Sequence, residues 1–109
     1  MSRTRAKGTA FETEVVNFLR ENDFLDAERL PLNSAVGDIG EVPMVLECKN
    51  HKEMAIAEWM TQAEKSGQKA DKMYAVVHKR KGKNVSQAYV TMPLSIFVKL
   101  IAMAFKGNG

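Results

Sequence analysis

The stretch that most constrains this chain is GDIGEVPMVLECKN, residues 37–50. A short apolar run, 42–46, ends in Glu47 and Lys49, with one residue between them. The run predicts a strand over 43–49, and DIG predicts a shorter strand over 38–40, the two joined around GEVP. Side chains alternate between the faces of a strand. Val45, Glu47 and Lys49 therefore share one face, and Met44, Leu46 and Cys48 the other. A charged pair leaving a strand inside a sheet is costly unless it is partnered. Either Glu47 and Lys49 form an ion pair on a solvated strand, or they belong to a reaction centre.

The flanking segments define the sheet that this strand enters. Thr9 with Glu12 three positions later matches a capping box. Phe11, Val15, Phe18 and Leu19 then follow helical spacing to about residue 22. Residues 24–33 read as an extended segment stopped near Pro31, and 33–38 as a turn or loop. Over 53–69, Ile56, Trp59, Met60 and Ala63 form a helical apolar stripe, with Gly67 in the last turn. Residues 72–79 and 87–92 read as strands joined by the basic turn RKGKN. A helix follows Pro93 to about residue 106. The predicted order is α-β-β-β-α-β-β-α. This is an α/β fold with a mixed central sheet flanked by helices, one domain over 1–109 with residues 1–8 as a basic arm.

Antiparallel pairing of the two short strands sets Asp38 beside Glu47. Two close carboxylates raise at least one pKa unless a cation sits between them. A hard divalent cation relieves that repulsion: magnesium, with manganese as a substitute. Asp38, Glu47 and the backbone carbonyl of Cys48 would be its oxygen ligands. Lys49 beside it would orient a water and stabilise developing negative charge, as metal-assisted phosphodiester hydrolysis requires. Cys48 is the only cysteine, which excludes an intramolecular disulfide and fits a reducing cytoplasm. His51 and His78 have no clear partners with which to form a metal site.

The net charge of +3 is concentrated in two places. Arg3, Arg5 and Lys7 lie in the first eight residues with no acid among them, and HKRKGK carries Lys79, Arg80, Lys81 and Lys83. Two basic segments suit a polyanion, or else form a solvated tail and a solvated hairpin tip. Aromatic residues make up 7% of the chain, so single-strand binding by base stacking is not expected. The longest apolar stretch, LSIFVKLIAMAF, is shorter than the about 20 residues of a membrane span, and Lys99 interrupts it. It is apolar nearly all round. That predicts either deep burial or a helix with one face on the sheet and another on a second subunit. A small domain buries such a helix poorly, so a homodimer is expected.

The GD…ECK pattern resembles the core signature of the PD-(D/E)XK nuclease superfamily, with Asp38 as first acid, Glu47 as second and Lys49 as the lysine. RAKGTAFETEVVNFLREN is similar to the first helix of archaeal-type Holliday junction resolvases and their small phage-encoded relatives. In these, a basic residue and a glycine precede a glutamate four positions on, as Lys7, Gly8 and Glu12 do here. AERLPLNSAVGD resembles their arginine strand and serine loop, which carries over Arg29 and Ser34. The likeness covers roughly residues 5–80.

The resemblance implies a restriction-endonuclease-like fold and a magnesium-dependent, homodimeric endonuclease that cuts four-way DNA junctions symmetrically. Glu12, Asp38, Glu47 and Lys49 would be catalytic, although Glu12 also suits a helix cap. Some branches of the superfamily place a glutamine near the site on the second helix, which points to Gln62. Arg3, Arg5, Lys7, Arg29 and the basic turn from Lys79 to Lys83 would hold the phosphate backbone. Gly37 stands in place of the superfamily's proline, and the serine loop lacks a glycine-rich run. These departures leave flap, nicked or linear DNA open as substrates. A non-catalytic DNA-binding recombination module is the alternative outside enzymes.

Overall fold

The computed structural model describes residues 3–106, with side chains described from Lys7 onward. Its elements follow the predicted order: α1 (Arg3–Glu21), β1 (Glu28–Arg29), β2 (Ile39–Gly40), β3 (Val45–Lys49), α2 (Ile56–Ala70), β4 (Tyr74–His78), β5 (Tyr89–Thr91) and α3 (Leu94–Phe105). A 3-10 turn, Val85–Gln87, precedes β5. The five strands lie side by side in chain order, with β3 and β4 parallel and the other neighbours antiparallel. A parallel pair needs a crossover, and α2 supplies it.

Alternation along β3 and β4 divides the core between two helices. On one face, Phe11, Val15 and Val16 of α1 pack with Ile39, Cys48 and Val77. On the other, Trp59 and Ala63 of α2 pack with Val76. Phe11, Ile39 and Val76 are the largest fully buried side chains, each contributing about 1.5–3 kcal/mol. Near the end of α2, Gly67 allows β4 to approach. A Cβ there would lie 2.6 Å from Tyr74 Cδ1 and 2.9 Å from the Lys72 carbonyl oxygen. Gly67→Ala is therefore expected to lower stability by about 1–2 kcal/mol despite alanine's helix propensity, read as a lower urea midpoint.

Three expectations are corrected. α1 begins at Arg3, so Thr9 lies inside the helix and caps nothing; Thr13 Oγ1 donates to its carbonyl at 3.0 Å. The arginines, Ala6 and Lys7 are strong helix formers and extend the helix past Gly8. Glu12 is thereby released from capping. The extended segment over 24–33 shrinks to two strand residues. Asp23 takes a left-handed φ of 75°, and Ala27 N–H bonds back to the Phe24 carbonyl, so the chain turns before it can pair. α2 begins at Ile56 rather than at Glu53.

The apolar segment after Pro93 forms α3 as expected; of the two readings of its apolar character, deep burial is overturned, and poor burial in so small a domain is borne out. Ile96 is its one buried residue, while Leu94 is 76% and Phe105 84% exposed. The helix leaves the sheet after β5, and its first turns share a groove with the end of α2 and Tyr74. Among the described residues, no helix is long and apolar enough to cross a membrane.

Candidate active site

The register Ile39↔Leu46 continues by one residue to place Asp38 opposite Glu47. Asp38 N–H donates to the Leu46 carbonyl at 2.8 Å, and Asp38 Oδ2 accepts from Cys48 N–H at 2.7 Å. The entry to Asp38 depends on Gly37. Its φ is +99°, and a Cβ would sit 2.9 Å from Val45 Cγ1 and 3.1 Å from the Leu46 carbonyl oxygen. Proline, locked near φ of about −65°, is impossible at this position. Glycine at this position thus has a local cause, the tight return of the chain onto β3.

Glu47 is 3% exposed, and its Oε1 accepts from Ser66 Oγ at 2.9 Å. Burial first, then the Asp38 charge, pushes its pKa up to about 7, against the opposing pull of Ser66 and Lys49. A hydrogen bond with Asp38 adds to the preference for the protonated acid. Lys49 Nζ donates to Gln62 Oε1 at 2.5 Å. Glu12 reaches the same centre from α1. Its pKa is raised by burial first and then by Asp38, while Arg29 and Lys49 lower it. Arg29 Nε lies 3.4 Å from Glu12 Oε1. Glu12, Asp38, Glu47 and Lys49 therefore share one electrostatic field, with Gln62 holding the lysine.

The Cys48 thiol packs against α1, and burial raises its pKa well above the ordinary value, so it stays neutral. Its backbone faces the other way. The N–H and C=O of a strand residue point to the same edge, and this N–H meets Asp38. The Cys48 carbonyl thus lies on the Asp38 side. Among the described residues, no three His, Cys, Asp or Glu side chains group to hold a metal ion. The chain offers two carboxylates and one carbonyl, all oxygens. That partial set fits magnesium, which keeps several waters or substrate oxygens as its other ligands. A cation between the carboxylates would relieve the Asp38 part of the Glu47 shift, which is second to burial.

Other predicted residues lie elsewhere. Ser34 accepts from Val36 N–H at 3.2 Å within its own exposed turn and makes no contact with the acids. Lys7, Lys79, Arg80 and Lys81 line a cleft beyond Lys49, with Lys79 also 3.6 Å from Glu14. Lys83 lines a different groove, with Glu14 and Glu21. The side chains of Arg3 and Arg5 lie outside the described residues.

Two features escaped the sequence reading. Ser66 stands one helical turn after Gln62, so i,i+4 spacing on α2 was a usable signal for it. The second is a row of rings. Centroid distances are 5.6 Å for His51–Trp59, 5.7 Å for Trp59–His78 and 5.9 Å for His78–Tyr89, and the Arg80 guanidinium sits 4.4 Å over Tyr89. Burial lowers the pKa of His78, which favours its neutral ring. Few as the aromatic residues are, the fold gathers these into one place. No protein-family model matches the chain, and no curated protein or solved structure matches it.

Proposed function

We propose that the protein is a divalent-metal-dependent, structure-selective DNA endonuclease of restriction-endonuclease-like fold, with four-way junctions as its substrate. The observation that carries this reading is the pairing of Asp38 with a buried Glu47, two residues before Lys49 on the same strand. When bound there, magnesium would lower the pKa of a water and neutralise charge on the scissile phosphate.

The chain's own residues supply position. Cys48 N–H fixes Asp38, Ser66 fixes Glu47, and Gln62 holds the Lys49 ammonium where it can orient water and meet charge developing on phosphate oxygens. Arg29 holds Glu12 at the rim. Hydrolysis adds water across one P–O bond and needs no redox partner. Basic side chains along the cleft suit a backbone read by shape and charge. A cytoplasmic location accords with the lone thiol.

Cutting two strands of a junction calls for two sites. α3 offers the surface for a homodimer, since Phe97, Val98 and Ile101 are each more than 40% exposed along with Leu94, Met103 and Phe105. A contiguous apolar face of this kind marks an interaction surface. Light scattering is expected to give twice the chain mass, and Ile101→Asp to halve it. A monomer mass that does not change with concentration overturns the dimer.

The test of function is incubation with labelled four-way junction, flap and linear duplex, each with and without magnesium. Paired symmetric nicks confined to the junction support the resolvase. Cutting of flaps or linear DNA retains the chemistry and changes the substrate. Junction binding with no cutting under any divalent ion makes the protein a non-catalytic recombination module.

A further inference from the structure

The carboxyl ends of the parallel strands β3 and β4 open into a cleft of about 690 Å³. It starts at Asn50, the residue after Lys49, and its place is the usual one for ligands on α/β sheets. The lining combines two chemistries. Lys7, Lys52, Lys79, Arg80 and Lys81 contribute cations, and no acidic side chain lines the cleft among the described residues. His51, His78 and Tyr89 contribute rings, drawn from the loop after β3, the end of β4 and the start of β5. The register Lys49↔His78 and His78↔Tyr89 carries these rings directly outward from the lysine across one sheet face.

Phosphate alone would use the cations and leave the rings idle, and an acidic peptide would do the same. A duplex keeps its bases stacked inside and presents no ring face. A volume within the ordinary range for small-ligand pockets, flat π-faces and a cationic rim together match one nucleotide with its base unpaired. We infer that this cleft takes an unpaired nucleotide of the DNA strand that leaves Lys49. The base lies against His51 and the Tyr89–Arg80 stack, and its phosphates lie on the lysines. Aromatic side chains and guanidinium planes both serve as such platforms. The inference rests on the DNA-cutting reading for the identity of the strand. It also narrows the substrate to DNA that can free a base at the cut.

The test measures binding in EDTA, where nothing is cut. The probes are fluorescently labelled (dT)8 and an abasic octamer of the same charge, followed by anisotropy. The expected result is about tenfold tighter binding of (dT)8, in line with stacking energies. Tyr89→Ala and His51→Ala each lose about tenfold on (dT)8 and leave the abasic strand unchanged, while Tyr89→Phe retains affinity. Tyr89 is 53% exposed and His51 lies on an exposed loop, so both variants leave the core intact. Equal binding of the two octamers, or equal weakening of both by Tyr89→Ala, overturns the inference and leaves a cleft that binds charge alone. The two readings fail separately. Base-dependent binding by a protein that never cuts sinks the nuclease and keeps the cleft. Junction cutting with no preference for bases does the reverse.

Discussion

Replacing Lys49 with alanine is expected to slow single-turnover junction cutting by about 10²–10³-fold, the scale of losing one preorganised charge at a reacting centre. On the proposed reading, junction affinity should fall only slightly, because many other cations would hold the backbone. The side chain faces α2 at the end of β3 and touches Gln62 rather than the core. Its loss therefore removes chemistry without removing packing. Asp38→Asn is the matching change on the other side. The amide keeps the shape and an oxygen for Cys48 N–H, but loses the negative charge that a cation needs. It should cut at least as poorly as Lys49→Ala while melting within a few degrees of the parent. Gln62→Ala lets the lysine wander and should sit between parent and Lys49→Ala. Full cutting by both Lys49→Ala and Asp38→Asn would remove this centre from the chemistry.

The second large effect is on stability, and its sign follows from Glu47. The folded pKa, about 7, lies above the ordinary 4.5. Between those values the folded chain binds more protons than the unfolded one. The contribution of Glu47 is thus fully present below pH 4.5 and is lost as pH rises through 7. The full shift would be worth about 3 kcal/mol, and solvent near the strand ends reduces this to about 2 kcal/mol. Glu12, raised for the same main reason, acts with the same sign. The metal-free protein should therefore unfold at lower urea at pH 8 than at pH 5. Magnesium should recover the difference at pH 8 and add little at pH 5, where protons compete for the carboxylates. Glu47→Gln should flatten both dependences. A metal-free protein equally stable at both pH values would show that burial and the Asp38 charge do not hold the Glu47 proton as described.

The sequence disclosed the parts of this centre that obey short-range rules. Period-two alternation put Glu47 and Lys49 on one face of β3, and a hairpin connection was enough to bring Asp38 across. Helical spacing located α2, which carries Gln62. Where long-range packing decides, the reading failed. Thr9 and Glu12 make an acceptable capping box, but stronger helix formers upstream and burial of Phe11 carry α1 past it. The segment over 24–33 has strand-like composition, yet a left-handed Asp23 turns it before it can pair. Ser34 matched a pattern and belongs to its own turn. The ring row was invisible because His51, Trp59, His78 and Tyr89 come from four separate stretches, joined only by the packing of α2 and the loop after β3 on neighbouring strands. The apolar character of α3 was plain, and domain size rather than any local rule correctly pointed to its poor burial.

The position of α3 sets a ruler. The antiparallel strand β5 starts beside His78, at the Lys49 end of the sheet, and runs away from it. α3 therefore begins at the opposite end of β4, where Ser95, Ile96 and Lys99 share a groove with Tyr74. If two copies join through α3 as proposed, the joint forms on an element that begins at the end of the sheet away from Lys49. The spacing of the two centres, and with it the pair of bonds within reach together, would then be set by how α3 packs rather than by the residues of the site.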